Sequence, residues 1–242
     1  MTTDRGSLSL DQPDYWWYRA RRDLLHEVFA PHLGRPERAI DVGSADGPSV
    51  DWMNHLAHRV TLDRNPRGLP HDTGVCGSAT ALPFPDGSFD VVAAFDVIEH
   101  CASETEVLTE LSRVLAPGGR MLLSVPAYQW AWTQHDVNAG HYRRYTRARL
   151  RAAVQRAGLT VERSTYAFTA VFPLFLVERA SRRVRSRRGK EVADQLAPVS
   201  GLQDRILVGL TRVDRRLLRR CNLPFGSSVM LAASKPTEAS QS

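Results

Sequence analysis

The chain has 242 residues, 43% of them hydrophobic and 24% charged, with a formal net charge of +6. That length supplies a full hydrophobic core without a disulfide or metal staple, and that composition excludes disorder, collagen and coiled coil as overall descriptions. The three cysteines, Cys76, Cys101 and Cys221, are far apart and form no CxxC, which argues against a disulfide framework or a cysteine zinc site and for a reducing, cytoplasmic setting.

The segment before Trp17 is polar and lacks the basic and apolar regions of a signal peptide. The longest strongly apolar stretch, Ala170 to Val177, is well short of the ~20 residues that span a bilayer. The positive charge is local. Residues 177–220 hold thirteen Arg and Lys against five Asp and Glu, a net +8, so the rest of the chain carries −2. Any partner recognised through positive charge must therefore meet this segment.

In chain order, residues 14–30 read as a helix bearing Tyr15, Trp16, Trp17 and Tyr18. Arg38 to Gly43 is a short apolar strand ended by glycine. Val50, Met53, Leu56 and Ala57 recur at helical spacing and predict a helix. Arg59–Asp63 and Gly74–Gly77 predict the second and third strands. Phe89–Asp96 is a nearly unbroken apolar run, as expected of a strand covered on both faces of a parallel sheet. Ser103 and Glu106 make an S-x-x-E start signal for a helix that Pro117, Gly118 and Gly119 end. Arg120–Val125 is the fifth strand.

A helix from Arg147 to Ala157 follows, with Thr146 as its N-cap and Gly158 closing it. Leu159–Ser164 and Ser228–Ser234 are the last two strands. Between them, residues 171–225 form a basic helical insertion. Its second helix opens on Ser200 and Gln203 and carries Leu202, Ile206, Leu210, Val213 and Leu217 as an amphipathic stripe. Strands alternating with helices predict a doubly wound, mostly parallel seven-stranded α/β sheet with a helical insertion before the last strand. Such sheets bind ligands at the carboxyl ends of their strands.

The chemistry starts at the first of those ends. Asp41-Val-Gly43-Ser-Ala45-Asp-Gly47 is a glycine turn between strand and helix, where a ligand can approach the backbone. A dinucleotide fingerprint needs G-x-G-x-x-G, and Ala45 and Pro48 break it. Asp63 ends the second strand 20 residues after Gly43, where a carboxylate can accept from both hydroxyls of a ribose.

These segments, with LPFPDGSFDVV, FDVIEH and LSRVLAPGGRMLLSVP in the same order, resemble the class I S-adenosylmethionine-dependent methyltransferases of the small-molecule type. The resemblance is strong over roughly residues 38–126 and weaker beyond. It implies a Rossmann-like methyltransferase fold, with S-adenosyl-L-methionine as cofactor. Gly43, Ala45 and Gly47 would line its methionine portion above Asp41, and Asp63 would hold the ribose. Ser78 and Ala79 would meet the adenine, although the family usually has an aspartate in place of Ser78. Asp96 would sit by the amino group. The chain reads as a single domain, with an N-terminal helical lid over 1–35, a cofactor-binding core over 36–170, the basic insertion over 171–225 and the last strand over 226–235; the alternative to a lid is a helix packed on the sheet by its tryptophans.

Methyl transfer needs an aligned nucleophile and, for a protic acceptor, a base. His100, just past the fourth strand, is placed for that; the alternative is a histidine that packs the start of the next helix. His135, His141, Arg143 and Arg144, among the aromatics Tyr128, Trp130 and Trp132, suit an acceptor pocket, arginine forks matching carboxylate or phosphate. The alternative there is that the arginines only pair with Asp136. No metal is expected. The partner expected is a small-molecule acceptor, anionic or lipid-linked, with O- or C-methylation the expected chemistry. Two rival functions stand beside it, a nucleic-acid methyltransferase and a non-catalytic S-adenosylmethionine-binding protein. No nucleic-acid partner is expected, because Asp96-Val-Ile-Glu lacks the Pro-Pro-aromatic motif of amine-methylating enzymes and both lysines, Lys190 and Lys235, follow residue 189. The apolar run from Val171 followed by Arg182, Arg183, Arg185, Arg187 and Arg188 is a candidate peripheral membrane contact; the alternative is that the apolar residues cover the sheet and the arginines are a solvated face.

Overall fold

The computed structural model describes residues 12, 14–43, 50–56, 58–67, 69–70, 72–187 and 199–237. Seven strands form one sheet: β1 (Arg38–Val42), β2 (His58–Asp63), β3 (Gly74–Cys76), β4 (Phe89–Phe95), β5 (Leu115–Pro126), β6 (Thr160–Ala167) and β7 (Ser228–Ser234), in the order β3-β2-β1-β4-β5-β7-β6. The first five strands pair in parallel, and β7 runs antiparallel between β5 and β6. The sheet is thus the mostly parallel α/β sheet expected. Residues of β4 are almost all buried, which accounts for its unbroken apolar run.

Six helices accompany these strands among the described residues: α1 (Trp16–Leu33), α2 (Glu104–Val114), α3 (Gln134–Asn138), α4 (Arg147–Arg156), α5 (Phe172–Arg187) and α6 (Gly201–Leu218). The start signals hold at the atomic level. Ser103 accepts from the Glu106 amide, Thr146 from the Arg149 amide, and Ser200 and Gln203 close a reciprocal capping box.

Three expectations change. The helix over 50–57 is only a 3-10 turn, Asp51–Met53. The His55 ring bonds the Trp52 carbonyl at 2.8 Å, and the Leu56 amide reaches Met53 instead, so the α-helical ladder cannot propagate. Pro117, Gly118 and Gly119 lie inside β5 rather than in a loop. Gly119 is required there because a Cβ would stand 2.9 Å from the Asp90 carbonyl. Most of the stripe on α6 does not face the core: Leu202, Ile206, Val213 and Leu217 are exposed, while Leu210 packs against it. The helix instead buries Thr211, Asp214 and Leu218. It is held on α1 by Arg19–Asp204 at 2.5 Å and by Arg215 and Arg219 on Glu27 at 2.9 and 3.0 Å.

The N-terminal segment expected as a lid contributes to the core. Helix α1 buries Leu24, Leu25, Val28 and Phe29, and Phe29 stacks on Phe95 of β4. Burial of these four side chains is worth about 1.5–3 kcal/mol each before entropy is counted, so α1 is not a hinged flap. Residues 1–11 lie outside the described residues.

Candidate functional site

The carboxyl ends of β1, β2, β4 and β5 meet along one edge of the sheet. At the end of β1, Gly43 takes φ +75°, and a Cβ there would overlap Val97 Cγ2. Only glycine satisfies both conditions. Ala45 and Gly47 lie outside the described residues. Asp41 is buried, and its carboxylate pairs with Arg59 Nη2 at 3.0 Å, so it fixes the turn from beneath. Asp63 ends β2 half-buried, its Oδ1 accepting from the Asn65 amide at 2.8 Å.

Ser78 and Ala79 form the turn after β3. Ala79 is buried, but the Ser78 hydroxyl is bonded to Thr80 Oγ1 at 2.9 Å and accepts from the Thr80 amide. Its side chain supports the local turn. Asp96 follows β4 at φ +58°. Its carboxylate is held between Arg21 Nη2 at 2.9 Å and the Ser124 hydroxyl at 3.1 Å. Arg21 is almost wholly buried and lies against the Trp17 ring. Helix α1 is therefore tied to the cleft by charge as well as by apolar packing, a link between residues far apart in sequence.

Past β4 and β5 a second group assembles. His100 is exposed and stands edge-to-face with His141, ring centroids 4.5 Å apart. The Tyr142 amide donates to the Glu99 carbonyl at 2.7 Å, which draws the 141–145 stretch across the turn after β4. Glu99 is fully buried, and among the described residues neither carboxylate oxygen has a hydrogen-bonding partner. Burial, with the charge of Asp96 adding, pushes its carboxyl well above the usual range. Glu99, His100 and His141 each place one donor atom within 4.8 Å of the others. Sequence reading missed Glu99, and expected no metal.

The two arginines of this stretch are engaged with the protein. Arg143 donates to the Cys101 carbonyl at 2.7 Å and to the Ala102 carbonyl. It clamps the loop after β4. Arg144 is buried, donating from Nε to Asp136 Oδ1 at 2.7 Å and from Nη1 to the Ala127 carbonyl at 3.2 Å. The expected acceptor-binding forks are thus turned inward, because a buried carboxylate and orphan carbonyls compete for them. Asp136 is fully buried. It also takes His141 Nδ1 and the Thr133 amide, both at 2.9 Å, and Arg179 stands 3.8 Å away. Burial alone would raise the Asp136 carboxyl; the His141 hydrogen bond and the Arg144 charge outweigh it and hold it far below the usual range. Arg179 comes from the basic insertion, and burial lowers its pKa to about 10. His135 lies half-buried on α3.

Beside this network stands an aromatic wall. Tyr128 is sandwiched between Trp130 and Tyr166, each at 5.3 Å, with Phe172 of α5 at 5.8 Å. Burial and a hydrogen bond with Tyr166 push the Tyr128 phenol up to about 12, so it stays neutral. Trp130 remains half exposed at 45% and gives the wall an open side. The edge thus offers an oxygen acceptor on β2, a Cβ-free turn on β1 and a flat apolar wall past β5. These suit a nucleoside-bearing cofactor and a planar or apolar second ligand.

A family model described as a methyltransferase domain matches residues 15–164. A curated relative in Mycolicibacterium smegmatis, named "Probable S-adenosylmethionine-dependent methyltransferase", is 30% identical over 67% of this chain and 66% of its own length. The demethylmenaquinone methyltransferase of Beutenbergia cavernae is 32% identical over 51% of each chain. The chain thus spans less than two thirds of these relatives. A solved structure of Haemonchus contortus phosphoethanolamine N-methyltransferase 2 with S-adenosyl-L-methionine shares the fold, with a TM-score of 0.55, 18% identity, and coverage of 98% of this chain and 61% of that one.

Proposed function

The chain belongs to the S-adenosylmethionine-dependent methyltransferase family, and from that premise we propose that it methylates a small-molecule acceptor, at oxygen or carbon. The observation that carries the reading is the aromatic wall of Tyr128, Trp130, Tyr166 and Phe172 beside the His100–His141 pair. Trp130 leaves that wall an exposed aromatic side on which an apolar or aromatic body can lie.

The bound cofactor supplies a methyl group already activated on a sulfonium. Gly43 lets the backbone approach it, and Asp63 accepts from the ribose hydroxyls. Ser78 and Ala79 border the adenine through their backbone, since the Ser78 hydroxyl is bonded to Thr80. Asp41 and Asp96 act through Arg59 and Arg21, which hold the turn after β1 and the turn after β4 in place. The aromatic wall aligns the acceptor and excludes water, which is most of what such a transfer requires. His100 acts on the acceptor rather than the cofactor. Arg143, Arg144 and His135 shape the pocket from behind.

The same reading extends to a lipid-linked acceptor met at a membrane surface. In its support, α5 exposes Leu174 and Val177 together with Arg183 and Arg185, and α6 exposes Leu202 and Ile206. Arg187 continues the basic run, and Arg188 lies outside the described residues. No helix among the described residues is long and apolar enough to cross a membrane, so contact would be peripheral. Incubation with methyl-labelled cofactor and a cell extract tests the main reading: label in a small organic-soluble molecule is expected, and label confined to nucleic acid, or none, refutes it. Co-sedimentation tests the extension. Binding to anionic vesicles that is absent at low salt, or that survives Arg182, Arg183 and Arg185→Gln, contradicts it.

A further inference from the structure

The Glu99–His100–His141 cluster has features that a methyl-transfer pocket does not require. Glu99 is 0% exposed, and among the described residues neither of its buried carboxylate oxygens has a hydrogen-bonding partner. Natural cores rarely leave a carboxylate in that condition. One of its oxygens lies within 4.8 Å of a nitrogen from each of two imidazoles.

The second observation concerns His141. Its Nδ1 shares a hydrogen bond with Asp136 Oδ1 at 2.9 Å, and Asp136 is fixed in turn by Arg144 and the Thr133 amide. A carboxylate that always accepts sets the proton on Nδ1 and leaves the lone pair on Nε2. A carboxylate behind an imidazole is the usual outer support of a metal-binding histidine. His100 completes the set from the exposed side, its ring perpendicular to that of His141.

We propose that Glu99, His100 and His141 form a binding site for one divalent transition-metal ion of the zinc, cobalt or iron(II) type. Two imidazoles and one carboxylate favour these ions over magnesium or calcium, which prefer all-oxygen sets. Three protein ligands leave coordination positions open, as in sites that bind an exchangeable ligand. His100 is exposed, so the site can be reached from solvent. The ligand class the open positions take is an oxygen donor, a hydroxyl or a carboxylate. Resting on the methyl-transfer reading, that donor belongs to the acceptor. His100 then gives its lone pair to the metal and does not serve as a proton acceptor.

The test uses the full chain, stripped with chelator and titrated with Co2+ alone. One equivalent should bind, with visible d–d absorption, and Zn2+ should displace it. His100→Ala, at an exposed position that keeps the fold, and Glu99→Gln should each weaken Co2+ binding at least tenfold. Asp136→Asn should weaken it about 10–100-fold through His141. Two results overturn the site: no Co2+ bound at millimolar concentration, or stoichiometric binding retained in both His100→Ala and Glu99→Gln, which would place the ion elsewhere, such as at exposed Cys76 or Cys221. S-adenosylhomocysteine binding on the same preparation separates the two claims. If it binds while Co2+ does not, the metal site alone fails. If Co2+ binds while it does not, the methyl-transfer reading fails.

Discussion

Replacing Arg144 with methionine tests how the acceptor side of the cleft is held. The substitution keeps most of the volume and removes the guanidinium. Asp136 would then lose its 2.7 Å partner, and the Ala127 carbonyl its 3.2 Å donor. The Thr133 amide and His141 remain, and the nearest fixed cation becomes Arg179 at 3.8 Å. Removing one partner of a buried ion pair costs about 3–5 kcal/mol. For a chain of this size each kcal/mol lowers Tm by about 2–4 °C, so the expected loss is about 6–20 °C. The pH dependence gives a second check. The Asp136 carboxyl is held below its ordinary range, so its stabilisation is present above the unfolded value near 3.9 and is lost as pH falls through the lower folded value. The gap between wild type and Arg144→Met should therefore be full at pH 7 and narrow as pH falls below about 4. Calorimetric melting at several pH values measures both. A gap under about 1 kcal/mol at pH 7, or one that does not change with pH, would refute the reasoning.

Two further outcomes follow from the cleft. Gly43→Ala places a Cβ at φ +75° against Val97; the left-handed backbone alone costs about 1–2 kcal/mol, and cofactor affinity should fall with stability, as calorimetry and thermal melting would show. His100→Ala should lower turnover while S-adenosylhomocysteine affinity changes less than about threefold, roughly 0.6 kcal/mol; undiminished turnover would make His100 a packing residue only.

Much of the fold was legible because its signals are local. Apolar runs bounded by glycine located the strands, and Ser103, Thr146 and Ser200 located helix starts, since a cap is decided by neighbours three residues apart. The places of Gly43 and Asp63 at neighbouring strand ends were legible because strand ends in a parallel sheet converge on one edge. What failed depended on distant partners. The α6 stripe had the right period, but periodicity does not say which face meets the core, and the Arg215 and Arg219 pairs with Glu27 turn it outward. Arg143 and Arg144 have the side chains of an anion site; the pairing of Arg144 with Asp136 was legible as the alternative, but the loop carbonyls of Cys101, Ala102 and Ala127 that take the remaining donors were not. Glu99 looked like an ordinary loop acid. Its only sequence signal was its place between Ile98 and His100 at the end of a buried strand, and the 141–145 stretch that covers it comes from far along the chain.

The central claim is that the carboxyl edge of β1, β2 and β4 holds S-adenosylmethionine, and Asp63 tests it most directly. Titration calorimetry of S-adenosylhomocysteine into wild type and folded Asp63→Ala isolates the ribose contact. A hydrogen bond to a charged group is worth about 1.5–3 kcal/mol, so binding to wild type and a loss of roughly ten- to over a hundredfold in the variant are expected. Equal affinities, or no binding by the wild-type chain, would contradict the account.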